Sequence, residues 1–254
     1  GPQMHVAAGT TKGKRPENQD AAIALRLDPA QSCWGFEAVI GVADGMGGHS
    51  AGDVASRIAA DTVAEVLGRT RLQAQADPVP ESLTEPVDAV AYAVSAANAR
   101  IHTQAREHPS QHDMGTTLTL VAVTGDTAIV AHIGDSRGYL VNSTGIVQIT
   151  QDHTWVAQQV RAERMTAEEA ACSPMRSQIT RTLGAEADAE ADILAIPLEV
   201  DSAFVVCSDG LVEVVPPPEI ERVLRTEPSL AAACERLIEA AERCAGRVII
   251  NGFP

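Results

Sequence analysis

The chain has 254 residues, 45% of them hydrophobic, enough for one domain with a full core. Its net charge of −15 argues against a non-specific nucleic-acid binder, which needs a basic surface, and no apolar run approaches the roughly 18 to 20 residues of a membrane helix. The five cysteines (Cys33, Cys172, Cys207, Cys234, Cys244) form no CxxC pair, so neither a zinc site nor a disulfide framework is indicated, and a reducing cytoplasm is the expected setting.

Gly1-Pro2-Gln3 before Met4 looks like an expression scar, no signal peptide is recognisable, and a single domain is expected over 4–254. Val6 to Thr11 is a strand candidate. It leads into the polar cluster Lys12 to Asp20, where Arg15 could grip a phosphate with its fork or simply be solvated. Ala21 to Leu27 alternates like a strand. Val39 to Ala43 reads as a short buried strand, with Asp44 placed at its end and Gly45, Gly47 and Gly48 allowing a sharp turn. Ser50 and Asp53 have capping-box spacing, so a helix should run from Ala51 to about Gly68, with Val54, Ile58, Val63, Val66 and Leu67 near one face. Arg71 to Glu85 reads as a surface connection. Pro86 opens a second helix to about His108, with a stripe of alanines and Val87, Val90, Val94 and Ile101.

Thr116 to Thr124, Thr127 to Ile133, Gly138 to Val141 and Ile146 to Thr150 then predict an antiparallel meander, turning at Gly125-Asp126. Gln151 to Arg176 is polar and helical in pieces, with a capping box at Thr166 and Glu169, and is a candidate flap over a site. Ala203 to Cys207 is another buried strand, followed by Ser208-Asp209-Gly210. Glu219 to Arg225 and Ser229 to about Ala245 predict a short helix and a long one.

Three apolar strands thus each end in an aspartate: Asp44, Asp135 and Asp209. Each alone reads as an ordinary turn residue. If the strand ends converge, their carboxylates meet with no basic residue between them, and packed like charges need a cation. All-oxygen ligands favour magnesium or manganese over zinc or copper.

Seven pieces in order resemble the metal-dependent serine/threonine protein phosphatases of the 2C type, especially the bacterial single-domain members. They are RPENQD (Arg15 to Asp20), VADGMGGHSAGDVAS (Val42 to Ser56), MGTTLT (Met114 to Thr119), HIGDSRGYL (His132 to Leu140), ITQDHTWV (Ile149 to Val156), ITRTLG (Ile179 to Gly184) and VCSDGLVEVV (Val206 to Val215). The resemblance implies an α+β fold, a four-layer α-β-β-α sandwich of two central antiparallel sheets flanked by helices. It implies two manganese or magnesium ions and a third, weaker site. Asp44 matches the carboxylate that bridges the two ions and Gly45 a backbone-carbonyl ligand. Asp209 matches a ligand of the first ion, and Asp135 a ligand of the third site, shared with Asp209. Arg15 matches the phosphate-binding arginine. Gln19 stands where some relatives place a glutamate that reaches metal through water, and Asp20 matches an acidic residue behind the site. The implied reaction is attack of a metal-activated water on phosphoserine or phosphothreonine in proteins, with kinase substrates as partners. Met46 occupies the position where some relatives carry a histidine, and neither His49 nor His153 is supported as the proton donor.

One ligand departs from that pattern. The family's Asp-Asn motif should follow the long last helix, yet no acidic residue follows Glu242. A shortened or altered end, a coding accident (Val-Ile-Ile can be written GTG-ATA-ATA, which contains GAT-AAT) and a degenerate binding module are the three explanations. The expectation is an enzyme framework with weakened first-metal binding, the alternative an impaired module that binds phosphoproteins. Val248 to Ile250 is expected as a short edge strand.

Overall fold

The computed structural model describes residues 5–11, 19–48, 50–240 and 246–252. In chain order the strands and helices are β1 (His5–Thr11), β2 (Asp20–Arg26), β3 (Phe36–Met46), α1 (Ala51–Leu67), α2 (Arg71–Ala76), α3 (Pro86–Glu107), β4 (Gly115–Thr116), β5 (Leu118–Thr124), β6 (Thr127–Ile133), β7 (Arg137–Asn142) and β8 (Gly145–Gln148). They continue with α4 (Trp155–Arg161), α5 (Ala167–Cys172), β9 (Asp192–Pro197), β10 (Ala203–Cys207), α6 (Asp209–Val212), α7 (Pro217–Thr226), α8 (Leu230–Ala240) and β11 (Gly246–Gly252). One sheet has the order β1-β11-β10-β7-β8. The other runs β2-β3-β5-β6-β9, with β4 attached to β3.

Residue alternation along the strands explains the layering. On β3, Ala38, Ile40 and Val42 face the other sheet and pack with Val121, Val130, Phe204 and Val206. Val39 and Ala43 face the opposite way, against α1 and α3. A strand buried on both faces reads as a continuous apolar run, which is how residues 38–43 read. On the far side, Tyr139, Val205 and Cys207 pack beneath α7 and α8 through Ile220, Val223, Ala233 and Leu237. The result is the expected α-β-β-α sandwich.

Several local expectations change. Ser50 adopts φ +65° and its side chain does not cap α1, because a left-handed residue turns its side chain away from the helix N–H groups. The buried faces of α1 and α3 are built largely from small residues, including Ala55, Ala59, Ala93 and Ala97, which let the two helices approach closely. Val54, Ile58 and Val66 are only partly buried, and Val87 is exposed. The connection after α1 contains a true capping box: Thr70 accepts from Gln73 N and its own N–H donates back, so α2 forms there.

The meander is split between sheets. The β5–β6 hairpin lies in one and β7–β8 in the other. Gly134, at φ +108°, breaks the run, and Gly134-Asp135-Ser136 carries the chain across. The last strand is interior rather than an edge: β11 pairs with both β1 and β10 along its length.

Candidate functional site

Asp44 lies inside β3 rather than at its end, because Gly45 and Met46 pair with Thr116 and Gly115 of β4 and prolong the strand. Across the ladder it faces Asp20. Asp20 is 6% exposed and Asp44 9%. Asp209 opens α6 just past the end of β10 and reaches Asp44 with its charge and a hydrogen bond. Ser208 Oγ donates to Asp20 Oδ2 at 3.1 Å.

Burial, first, and then the charges of Asp20 and Asp209 push the Asp44 carboxyl well above its ordinary range. Asp135, at the crossing between sheets, is pushed up to about 7 by burial and then by Asp209 and Asp152. Its Oδ1 is buried with no hydrogen-bond partner among the described residues. The described carboxylates do not by themselves close into a cage of three around one ion. They are nonetheless hard oxygen donors, crowded, with Asp44 and Asp135 raised in pKa, and Asp135 holds a buried oxygen that no donor among the described residues meets. That donor set fits a hard divalent cation.

Backbone geometry explains the glycines. A Cβ on Gly45 would stand 1.8 Å from the Gly52 carbonyl oxygen, so the first turn of α1 seats directly on this strand. Gly45 N–H donates to Gln19 O at 3.0 Å, which joins the start of β2 to the same point. The Gln19 side chain lies against Gly52.

Thr117 fixes the carboxylate strand to the crossing. Its Oγ1 accepts from Asp44 N–H at 3.0 Å and lies 2.6 Å from Ser136 Oγ. Arg137, next in the chain, is held by Asp152 through Nε at 2.9 Å and Nη2 at 2.6 Å, and so belongs to the wall of the cleft. That cleft, about 990 Å³, is lined by Asp135 and Asp209 on one side and by Val156, Val160, Arg161 and Arg176 of the expected flap on the other. The flap begins and returns through a bridge between Thr154 and Ile179.

The structure therefore gathers Asp20, Asp44, Gly45, Asp135 and Asp209 at one rim. Arg15 and His49 lie outside the described residues. Sequence reasoning gave no role to Thr117, Ser136 or Asp152, although all three stand in quoted motifs. The available signal was a hydroxyl or carboxylate within an apolar strand pattern, where a buried polar group must find a partner.

The two-sheet sandwich places crowded carboxylates beside a cleft walled by the flap, an arrangement that suits a metal-dependent hydrolase. Comparison with known proteins narrows the class. A family model described as Protein phosphatase 2C matches residues 13–247. The serine/threonine phosphatase stp of Listeria welshimeri is 30% identical over 244 residues, 96% of this chain and 92% of that protein. The serine/threonine protein phosphatase PstP of Mycobacterium tuberculosis is 35% identical over 222 residues, 87% of this chain and 41% of PstP. The catalytic domain of PstP in complex with two manganese ions matches with TM-score 0.81 at 31% identity, covering 98% of this chain and 97% of that one. The chain belongs to the protein phosphatase 2C family and is a metal-dependent protein phosphatase.

Proposed function

We propose that this chain hydrolyses phosphoserine and phosphothreonine in proteins, acting on the products of serine/threonine kinases in a reducing cytoplasm. The observation that carries the reading is the shared cleft: Asp135 and Asp209 line the same cavity as the flap, so a phosphorylated side chain reaching the rim would lay its flanking residues against α4 and α5. The names of the relatives support the substrate class. Among the described residues no helix is long and apolar enough to cross a membrane.

In this reading Asp44, the Gly45 carbonyl and Asp209 would hold two divalent cations, with Asp135 and Asp209 serving a third, weaker site. Bound there, the ions supply Lewis acidity and lower the pKa of water. The protein's own part is to hold the carboxylates ready. The Thr117 hydroxyl fixes the Asp44 backbone, Ser208 orients Asp20, and α1 seated on Gly45 sets the strand. Asp20 and Gln19 support the site from behind. Arg15 grips the phosphoryl oxygens and offsets their charge in the transition state. No covalent intermediate on the protein is required. Burial raises the Cys207 thiol to about 12, so this cysteine, two residues from Asp209, is no nucleophile at neutral pH.

Nothing in the fold or the comparisons favours the alternative of an impaired module that only binds phosphoproteins. The test is hydrolysis of a small aryl phosphate titrated with manganese, compared with Asp44→Asn. Manganese-dependent turnover that disappears in the variant is the expected result. No turnover at any manganese concentration, together with tight binding of a phosphopeptide, would support the binding module instead.

A further inference from the structure

A run of hydrogen bonds leads from the carboxylate rim to the root of the flap, and the phosphatase reading leaves its central member without a role. Thr117 Oγ1 joins the Asp44 N–H to Ser136 Oγ, which fixes the crossing on one side of Asp135. On the other side the crossing is held by His153. Gly134 N–H donates to His153 Nδ1 at 3.0 Å, and His153 N–H donates to Gly134 O at 2.8 Å. His153 is 2% exposed. A backbone N–H can only donate, so Nδ1 must accept and Nε2 must carry the proton. That proton is given to Asp192 Oδ2 at 2.8 Å, and Arg181 stands on the other oxygen of Asp192 at 3.4 Å.

The same residue ties both ends of the flap. His153 immediately precedes α4 and its cap Thr154, and the His153 carbonyl accepts from Thr180 N–H at 2.9 Å as the flap returns. Gly134 has little room to adjust. It sits at φ +108°, and a Cβ there would lie 2.6 Å from Thr117 Cγ2. A shift of the flap root therefore bears directly on Gly134, the residue before Asp135, through two hydrogen bonds.

We propose that His153 is a positioning residue that locks the Gly134-Asp135 crossing in a single geometry and couples cation binding at Asp135 to the placement of the flap. This rests on the reading of Asp135 as a cation ligand. The ring touches neither substrate nor cation in this role. It acts as the outer partner that orients a ligand, a class of residue whose loss weakens metal binding without removing a ligand.

The experiment uses the whole chain and two readouts besides turnover: calorimetric titration with manganese, and hydrogen exchange of 130–137 and 154–180 with and without manganese. Four proteins are compared: wild type, Asp135→Asn, His153→Gln and His153→Asn. Asparagine keeps an acceptor oxygen at the place of Nδ1, whereas glutamine moves its amide out to the place of Nε2. Asp135→Asn should remove the weaker manganese event. His153→Gln should weaken that same event about ten-fold, raise exchange at the Gly134 and Asp135 amides in the metal-free protein, and abolish the manganese effect on flap exchange. His153→Asn should stay within about three-fold of wild type, the small deficit reflecting the lost bond to Asp192.

Manganese binding in His153→Gln equal to wild type, or equal weakening in the Gln and Asn variants, overturns the proposal. If Asp135→Asn binds manganese as wild type does, the ligand reading itself has failed. Should His153→Gln not fold, Asp192→Ala serves, at a side chain 40% exposed. It leaves the ring in place but frees its rotation, and should weaken the same event about three-fold. No change there overturns the proposal too.

Discussion

On the rim side of the cleft, Asp20, Asp44 and Ser208 are buried, and β3 is held by β2, β4 and β5. On the flap side, α4 buries one residue, Val156, and α5 none. The rim is rigid and electrostatically costly. The flap is cheap, polar and held by caps. Tertiary packing lets the rim keep carboxylates together that would otherwise repel, while the flap depends on local bonds worth about 1 kcal/mol each. A site of this kind keeps its ions in the stiff wall and presents the adaptable wall to varied peptides.

The strongest way to break the contrast is Asp44→Asn. Metal-dependent hydrolysis should fall at least about 1,000-fold, more than the loss of one electrostatic contact usually costs. The metal-free protein should become more stable by about 1 kcal/mol or more, since a buried like-charge contact is relieved. Steady-state hydrolysis and a metal-free melting curve check both. Retained turnover, or a lower melting temperature, would count against the rim as described.

The next effect is pH dependence. In the metal-free protein the folded pKa of Asp135 is raised from 3.8 to about 7, and that of Asp44 is raised in the same direction. Over that interval the folded chain holds protons that the unfolded chain has released, so stability must fall as pH rises. The Asp135 contribution is fully present below about pH 4 and gone above about 7, with a slope near 1.4 kcal/mol per pH unit for the proton retained, and Asp44 adds a loss of the same sign. Denaturant melts from pH 4.5 to 7.5 in a chelator should show the decline attributable to these groups, and Asp135→Asn should flatten it. Saturating manganese should flatten it as well. A wild-type slope unchanged by either would oppose the assigned burial.

On the flap side the expected effects are smaller and selective. Replacing Glu163 to Ser173 with a short glycine linker should lower phosphopeptide kcat/KM about ten-fold while changing aryl phosphate hydrolysis less than about two-fold, because only the larger substrate draws binding energy from remote contacts. Equal losses on both substrates would show that the flap supports the rim instead.

The same contrast explains what could be read from the chain alone. The rim motifs were legible because buried strands print continuous apolar runs and because each ends near an aspartate. Their convergence was not legible from spacing. It depends on Gly134 carrying the chain between sheets, and on β4 prolonging β3 so that Asp44 stands inside a ladder beside Asp20. Val248 to Ile250 was expected at an edge because a short apolar run says nothing of how many partners it has, yet β11, which contains it, lies between β1 and β10. Ser50 carried a capping-box pattern but sits at φ +65°, since the approach of α1 to Gly45 decides the backbone there. In the flap, by contrast, the Thr166 and Glu169 pattern gave the correct box, because α5 buries no residue whose packing would compete with it.

That absence of competition makes Thr166→Ala the sharpest small test. Thr166 Oγ1 accepts from Glu169 N–H at 3.1 Å, and Glu169 Oε1 accepts from Thr166 N–H at 3.4 Å. Alanine removes the first bond and loosens the second, a loss of about 1 kcal/mol. Because α5 buries no residue, the loss should be confined to local opening, about a five-fold increase in hydrogen exchange over 167–172, with the global melting temperature unchanged. Thr166→Ser should restore protection. Phosphopeptide KM should rise less than about two-fold, with kcat on the aryl phosphate untouched, because the capped helix borders the cleft without reaching the rim. A fall in global stability would mean that the flap is packed into the sandwich after all, and the two walls of the cleft would then unfold as one unit.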